Sequence, residues 1–126
     1  MKPQDILDAI AQAIYDKKGS NILALDLRKI STIADYVVIA EGHDDRHIIA
    51  MAQAIEDKLQ EMGLKPSHVE GMKAGDWIVL DYLDFMVHLF TPGYREKYQL
   101  EQLWREATII DLNIDISSQI SVRYGS

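Results

Sequence analysis

The feature that most constrains the fold of this chain is a pair of apolar segments joined by one tight turn. The segments are Trp77–Tyr82 and Phe85–Phe90, and their composition predicts two β-strands. Three acids, Asp76, Asp81 and Asp84, lie in or beside these strands, where aspartate is disfavoured. Residues that go against the local structural pattern are often functional, so the hairpin is the first candidate for a functional site.

The rest of the chain predicts one alternating α/β unit. Two amphipathic helices are expected, with apolar residues at three- and four-residue spacing on one face and charged residues on the other. The predicted elements are helices at about Gln4–Lys17 and Asp45–Met62, strands at about Ile22–Leu27, Tyr36–Ala40 and His68–Met72, and a polar helical segment after the hairpin that ends on Leu103 and Trp104. Asp44 or Asp45 is expected to cap the second helix, and Gly19 and Gly63 to follow the helix ends. The order αββαβββα predicts a mixed β-sheet flanked by helices.

The C-terminal segment has a period-two pattern of its own. The apolar residues Ile110, Leu112, Ile114 and Ile116 alternate with Asp111, Asn113 and Asp115. Two interpretations are open. The segment adds an edge strand to the sheet, or it is a short extension that becomes ordered only in contact with another surface.

Composition limits the classes of function. With 126 residues, of which 48% are hydrophobic, the chain is expected to form one globular domain. A net charge of −7 disfavours binding to nucleic-acid phosphates and suits a basic protein partner. The absence of cysteine excludes disulfides, thiolate zinc sites and thiol nucleophiles. No apolar run approaches the roughly 20 residues of a membrane span, and the N-terminus lacks a signal-peptide layout, so a cytoplasmic protein without membrane contact is expected.

Two histidines at i and i+4, His43 and His47, superficially resemble the zinc-hydrolase helix motif. That motif needs both histidines on one helical face, with the acid between them acting as a base. His43 directly follows a predicted strand and Gly42, so we expect it in the turn before the helix. The favoured interpretation is therefore a loop histidine followed by helix-capping acids.

The pair Asp81 and Asp84 raises the question of a metal site. Nucleotidyltransferases hold two magnesium ions with carboxylates on neighbouring strands and begin a helix with Gly-Ser to hold the triphosphate. This chain has neither an identifiable third carboxylate nor a Gly-Ser helix start. Asp84 is better explained as a turn residue, and no catalytic or metal-binding residue is predicted.

Two aromatic positions in the hairpin region have alternative interpretations. Trp77 is either an interaction anchor near the edge of the sheet or a core residue. His88 is interpreted as a partly buried histidine whose polar atoms are satisfied rather than as a ligand. Recurrence at three-residue spacing predicts one face of a helix for Arg95, Tyr98, Glu101 and Trp104.

Several motifs together resemble one protein family. In chain order they are Ala24-Leu25-Asp26, Asp35-Tyr36, Gly42 with Arg46-His47, Glu70-Gly71, Trp77, Leu80-Asp81, Asp84, Val87-His88 and the run Arg95-x-x-Tyr98-x-Leu100-Glu101-x-Leu103-Trp104. On these motifs the chain resembles the ribosomal silencing factor family, also called Iojap-like proteins. The chain departs from the family pattern at His43-Asp44-Asp45, where small hydroxyl residues are usual, and at Leu83, where glycine is frequent.

The resemblance implies a fold and a domain organisation. The expected fold is a nucleotidyltransferase-like (Iojap-like) α/β fold without the catalytic acids. Because the match covers roughly residues 5–112, we expect a single domain over residues 1–112 and a C-terminal extension over residues 113–126.

The resemblance also implies a non-enzymatic function without a cofactor. Members bind the large ribosomal subunit through ribosomal protein L-fourteen, block joining of the small subunit and repress translation when nutrients are scarce; they also self-associate, so a homodimer is a further expectation. Little direct contact with nucleic acid is expected. The predicted partner-binding residues are Glu70, Trp77, Asp81, Tyr82 and Asp84. Trp77 would supply an aromatic anchor, and the acids would steer and pair with basic residues of the partner.

Two other classes of function remain as alternatives. The first is a nucleotide- or metal-dependent transferase on the same fold, which titration with magnesium and nucleoside triphosphates would detect. The second is a structural or assembly module, which would have a different partner.

Overall fold

The computed structural model of the protein describes residues 2–73, 75–94 and 105–116. Two helices and six strands lie wholly within these ranges. The helices are α1 (Pro3–Asp16) and α2 (Asp45–Glu61), and the strands are β1 (Ser20–Asp26), β2 (Tyr36–Glu41), β3 (His68–Glu70), β4 (Trp77–Asp81), β5 (Phe85–Phe90) and β6 (Thr108–Ile110). Neither helix of the described ranges is long and apolar enough to cross a membrane.

All six strands form one mixed sheet in the order β3-β4-β5-β2-β1-β6. Strands β2 and β5 are parallel neighbours, with Tyr36 opposite Phe85. The other neighbouring pairs are antiparallel. The predicted mixed α/β sheet with flanking helices is therefore confirmed.

Side-chain alternation divides the interior into two clusters on opposite faces of the sheet. On one face, α1 and α2 pack together over the alternate strand residues Val38, Ala40, Ile78, Leu80 and Leu89. We call this the helix face. The opposite face carries a smaller apolar cluster, Leu25, Leu27, Val37, Ile39 and Phe90, with Trp77 and Met86 packed against it. Because β-strand side chains alternate, β1, β2, β4 and β5 contribute to both clusters.

The sequence predicted the helices and the hairpin strands to within two residues at each end. The third strand is shorter than predicted and ends at Glu70, because Gly71 adopts a left-handed φ of 89°. A Cβ at Gly71 would lie only 2.0 Å from the carbonyl oxygen of Trp77. The predicted helical segment that ends on Leu103 and Trp104 falls on residues outside the described ranges.

The C-terminal segment forms an edge strand that ends early. Strand β6 pairs with β1, with Ile110 opposite Ala24. The β1 residues that would face the chain beyond Ile110 lie where the pairing of β1 with β2 is irregular, between Ser20 and Leu23. Residues 111–116 run along α1 instead. Their backbone groups bond to side chains one helical turn apart: Asn113 N–H donates to Asp8 at 3.0 Å, and Asp115 N–H donates to Gln12 at 2.7 Å. Of the two interpretations of this segment, the edge strand therefore holds for Thr108–Ile110 only.

Candidate partner-binding surface

Strand β4 places the predicted anchor and one predicted acid on the same face of the sheet. Ile78 and Leu80 are fully buried on the helix face. Trp77, Val79 and Asp81 alternate with them and are partly exposed on the opposite face. Because four residue steps along a strand span about 13 Å, Trp77 and Asp81 lie about that far apart, at the two ends of β4.

Strand β3 adds a second acid to this face. Glu70 lies opposite Val79 and His68 lies opposite Asp81 in the antiparallel pairing, so both side chains share the face of Trp77. His68 Nε2 lies 2.8 Å from Glu70 Oε1, and both side chains are exposed. We call Glu70, Trp77, Val79 and Asp81 the β4 strip.

The indole of Trp77 is held by residues of β5. Its Nε1–H donates to Nδ1 of His88 at 3.1 Å, and its ring centroid lies 5.1 Å from that of Phe90. Trp77 packs against the smaller apolar cluster and is only partly buried. It therefore combines the two roles that the sequence left open, because one part of the ring packs in the interior and the rest is accessible.

His88 is a neutral acceptor in this arrangement. It is 7% exposed, and burial lowers its pKa from 6.5 to about 4. Since Nδ1 accepts the Trp77 hydrogen bond, the ring proton resides on Nε2. The interpretation of His88 as a satisfied, buried histidine is confirmed, and its hydrogen bond fixes the orientation of the indole.

The turn after β4 places Asp84 beyond the end of the strip. The hairpin loop is Leu83-Asp84, closed by a 2.8 Å hydrogen bond from Tyr82 N–H to the carbonyl of Phe85. Asp81 Oδ1 accepts the backbone N–H of Leu83 at 2.8 Å, and Asp84 is exposed. The prediction that Asp84 is a turn residue is confirmed, and its carboxylate lies one loop away from Asp81.

Tyr82 is separated from the other four predicted residues. It follows Asp81, so the alternation along the hairpin turns it to the helix face, where it is 9% exposed and belongs to the main core. Burial, and secondarily the charge of Glu56 on α2, raise the pKa of Tyr82 to about 12. Its hydroxyl is buried without a hydrogen-bond partner among the described residues.

The histidine pair lies at the start of α2. Asp44 is the N-cap, and its side chain accepts the backbone N–H of His47 at 2.9 Å. His47 Nδ1 accepts the backbone N–H of His43 at 2.8 Å, and its Nε2 lies 2.6 Å from the carbonyl of Lys17. The loop-histidine interpretation is confirmed, because His43 lies in the loop before α2, which begins at Asp45 after the N-cap Asp44. Both ring nitrogens of His47 join α1 to this loop. Within the described ranges, acids and histidines do not form a group of three that could hold a metal ion.

The sequence did not identify His88 as the partner of Trp77. The signal was present in the hairpin, because a two-residue turn sets Trp77 opposite Phe90 and Val79 opposite His88, which makes Trp77 and His88 diagonal neighbours. The same counting places Tyr82 on the helix face. The predicted helical face of Arg95, Tyr98, Glu101 and Trp104 lies outside the described residues.

Comparison with known proteins supplies a family context for this geometry. The family model described as "Ribosomal silencing factor during starvation" matches residues 1–123. The chain is similar to the Bacillus subtilis protein named ribosomal silencing factor RsfS, with 37% identity over 117 residues, covering 93% of this chain and 99% of that protein. It is also similar to a mouse protein named mitochondrial assembly of ribosomal large subunit protein 1, with 25% identity over 90% of this chain and 51% of the mouse protein.

Two solved structures are similar to the fold described above. A crystal structure of a Chromobacterium violaceum protein has a TM-score of 0.80 and 33% identity, and the match covers 82% of this chain and 87% of that one. A crystal structure of a Bacillus halodurans protein has a TM-score of 0.76 and 30% identity, with 86% and 99% covered. The α/β architecture is thus shared along most of the chain.

Proposed function

Because the chain belongs to the ribosomal silencing factor family, we propose that it represses translation by binding the large ribosomal subunit through ribosomal protein L-fourteen. Family membership implies ribosome-associated regulation of translation. The finer proposal is that the bound protein occupies the face that the small subunit must approach, so that the two subunits do not join. Such a repressor acts by steric occlusion and uses no catalytic group.

The observation that carries the proposal for this chain is the position of Trp77. An indole fixed by His88 and Phe90 loses little conformational freedom on binding, and tryptophan is a frequent hot spot of interfaces. Glu70 and Asp81 lie on the same face. Their carboxylates suit a partner that presents lysine and arginine around an apolar recess.

The first experiment measures binding to separated ribosomal subunits. We expect the protein to co-sediment with free large subunits and to be absent from joined ribosomes, and to slow joining when added before the small subunit. Equal co-sedimentation with joined ribosomes would contradict the occlusion mechanism. Magnesium and nucleoside triphosphates titrated into the protein alone test the transferase alternative, and saturable binding would favour it.

The second experiment tests Trp77 as the anchor. Trp77→Ala is expected to weaken binding by about 2 kcal/mol, or about thirtyfold. The melting temperature of the same variant must be measured, because the ring also packs against Phe90. Trp77→Phe is the matched control that keeps an aromatic ring and loses the hydrogen bond to His88. Full affinity in a folded Trp77→Ala variant would remove Trp77 from the interface.

The third experiment separates local charge from net charge. Asp81→Lys with Asp84→Lys is expected to weaken binding more than tenfold, whereas the corresponding asparagine pair has a milder effect. The matched control is Asp57→Lys with Glu61→Lys on the exposed side of α2, which changes the net charge equally. Equal loss in both lysine pairs would show that only net charge matters.

Four further parts of the prediction remain proposals. Tyr82 is retained as a partner-binding residue only as a prediction, because its hydroxyl is buried on the helix face. Self-association and a cytoplasmic location are also predictions of the sequence. The division into a domain over residues 1–112 and an extension over residues 113–126 is a fourth proposal, which truncation at residue 112 would test.

A further inference from the structure

Exposed apolar side chains concentrate at one end of the sheet. Five large apolar side chains are exposed among the described residues, and three of them belong to two loops. Ile30 and Ile33 lie in the loop of residues 27–35, and Leu83 lies in the turn after β4. Ile33 is 77% exposed and Leu83 is 67% exposed. Concentration in two loops, rather than scatter over the surface, is the pattern of an interaction site.

The two loops are joined to each other. The carbonyl oxygen of Asp84 accepts the backbone N–H groups of Asp35 and Tyr36 at 2.9 and 3.0 Å. Leu27 N–H donates to the carbonyl of Asp35 at 2.7 Å, which closes the base of the first loop. These bonds hold the backbones that carry Ile33 and Leu83 beside each other. We call Ile33 and Leu83 the apolar tip.

Leu83 has an unfavourable conformation that its own packing does not offset. Its φ is 72°, in the left-handed region that favours glycine over a branched side chain. A buried leucine would recover such a cost through apolar contacts, but this side chain is mostly in water. Backbone strain of this kind is concentrated at functional sites. The exposed leucine therefore calls for an explanation outside the isolated fold.

The charges around the apolar tip are mainly negative. Asp35, Asp81 and Asp84 flank the two apolar residues in the sequence and in the joined loops. The cations of the first loop are Arg28 and Lys29, and Arg28 is engaged by Asp26 at 2.8 Å. A partner of complementary chemistry would present an apolar recess bordered by lysine or arginine.

We propose that the apolar tip docks into a basic-rimmed apolar recess of the same ribosomal protein surface that receives Trp77. This inference rests on the proposed function and deepens it. Asp81 belongs to the β4 strip and also accepts the N–H of Leu83, so the strip ends beside the turn that carries Leu83. Trp77 anchors one end of the proposed binding surface, and Leu83 with Ile33 anchors the other.

The test compares three substitutions of Leu83 for affinity to purified free large subunits at fixed salt. Leu83→Ala and Leu83→Gly are each expected to weaken binding about tenfold, since the apolar contact is lost. Leu83→Met keeps an apolar side chain and should retain most of the affinity. The glycine variant removes the strain, so its melting temperature should not fall, and reduced binding by that variant cannot be attributed to unfolding. Ile33→Ser provides an independent variant in the other loop.

The outcomes separate this inference from the proposed function. If the unaltered protein does not bind large subunits, the proposed function fails. A second outcome is that the unaltered protein binds and Trp77→Ala does not, while all Leu83 and Ile33 variants bind normally. The inference that the apolar tip docks on the partner would then be overturned, and the proposed function would stand. If Leu83→Met lost as much affinity as Leu83→Ala, the inference would also be overturned, because the loss would not depend on an apolar side chain at this position.

Discussion

The two ends of strand β4 present apolar side chains in opposite ways. At its start, Trp77 is held by three neighbours: His88 accepts its indole N–H, the Phe90 ring packs against it at a tilt, and the backbone of Gly71 lies close to its carbonyl oxygen. After its end, the backbone of Leu83 is fixed by Asp81, but its side chain is mostly exposed. Substitutions at the first end should therefore lower stability and binding together, whereas those at the second should weaken binding without a loss of stability.

The largest effect is expected at Gly71, beneath the start of β4. Gly71→Ala should destabilise the protein by about 3–4 kcal/mol, because a Cβ would add a clash with the Trp77 carbonyl to the cost of a left-handed φ. Chemical denaturation measures this loss.

Gly63 is the matched control for that substitution. It also has a left-handed φ, of 83°, but a Cβ there would meet no atom within 4 Å. Gly63→Ala should therefore cost only about 1 kcal/mol. Equal losses at both glycines would show that the approach of Gly71 to Trp77 contributes nothing to stability.

The second effect comes from His88, which orients Trp77. Burial lowers the pKa of His88 to about 4 in the folded protein, against 6.5 for an exposed histidine. Above pH 6.5 neither state binds the proton, so stability is unaffected. As the pH falls from about 6.5 to about 4, the unfolded chain binds a proton that the folded protein does not, and stability should fall by on the order of 3 kcal/mol.

Unfolding free energies at several pH values between 7 and 4 test this linkage. His88→Gln keeps an acceptor near Trp77 but cannot titrate, so its stability should depend less steeply on pH. Carboxylates contribute similarly to the pH dependence of stability in the unaltered protein and in the variant. The difference between the two plots of unfolding free energy against pH therefore gives the contribution of His88. Identical slopes would remove His88 as the source of acid sensitivity.

A smaller effect is expected at Tyr82, between the end of β4 and Leu83. Its hydroxyl is buried without a partner among the described residues. Tyr82→Phe should therefore raise stability by about 1 kcal/mol, since a desolvated hydroxyl is removed and the ring is kept. Thermal and chemical unfolding measure the gain. A marked loss of partner binding in this stable variant would instead assign the Tyr82 hydroxyl to the interface.

The smallest effect on stability is expected at Leu83 itself. Leu83→Gly should stabilise the protein by about 0.5–1 kcal/mol, because relief of the left-handed strain exceeds the added freedom of the unfolded chain. Leu83→Ala keeps a Cβ at the same φ and should be nearly neutral. A destabilised glycine variant would show that the exposed leucine side chain supports the fold, which would break the contrast between the two ends of β4.

The local pattern of apolar, polar and turn residues in the sequence determines most of the helices and strands. Apolar spacing located α2, and the acid before it was expected to cap the helix, as Asp44 does. Alternation and one tight turn defined the hairpin, and the turn fixes which residues of β4 and β5 are opposite each other. These features depend on residues close in the chain, so the sequence carries them directly.

The apolar tip and the course of the C-terminal segment depend on contacts between residues that are distant in the chain. The parallel pairing of β2 with β5 brings the loop of residues 27–35 beside Leu83, about fifty residues later in the chain, and it is this pairing that creates the apolar tip. Strand β6 ends close to where the pairing of β1 with β2 becomes irregular. The side chains of Asp8 and Gln12 hold residues 111–116 along α1. Periodicity gives the direction of each side chain within its own element, but only the order of strands in the sheet decides which elements meet, because that order is selected by the packing of the whole core.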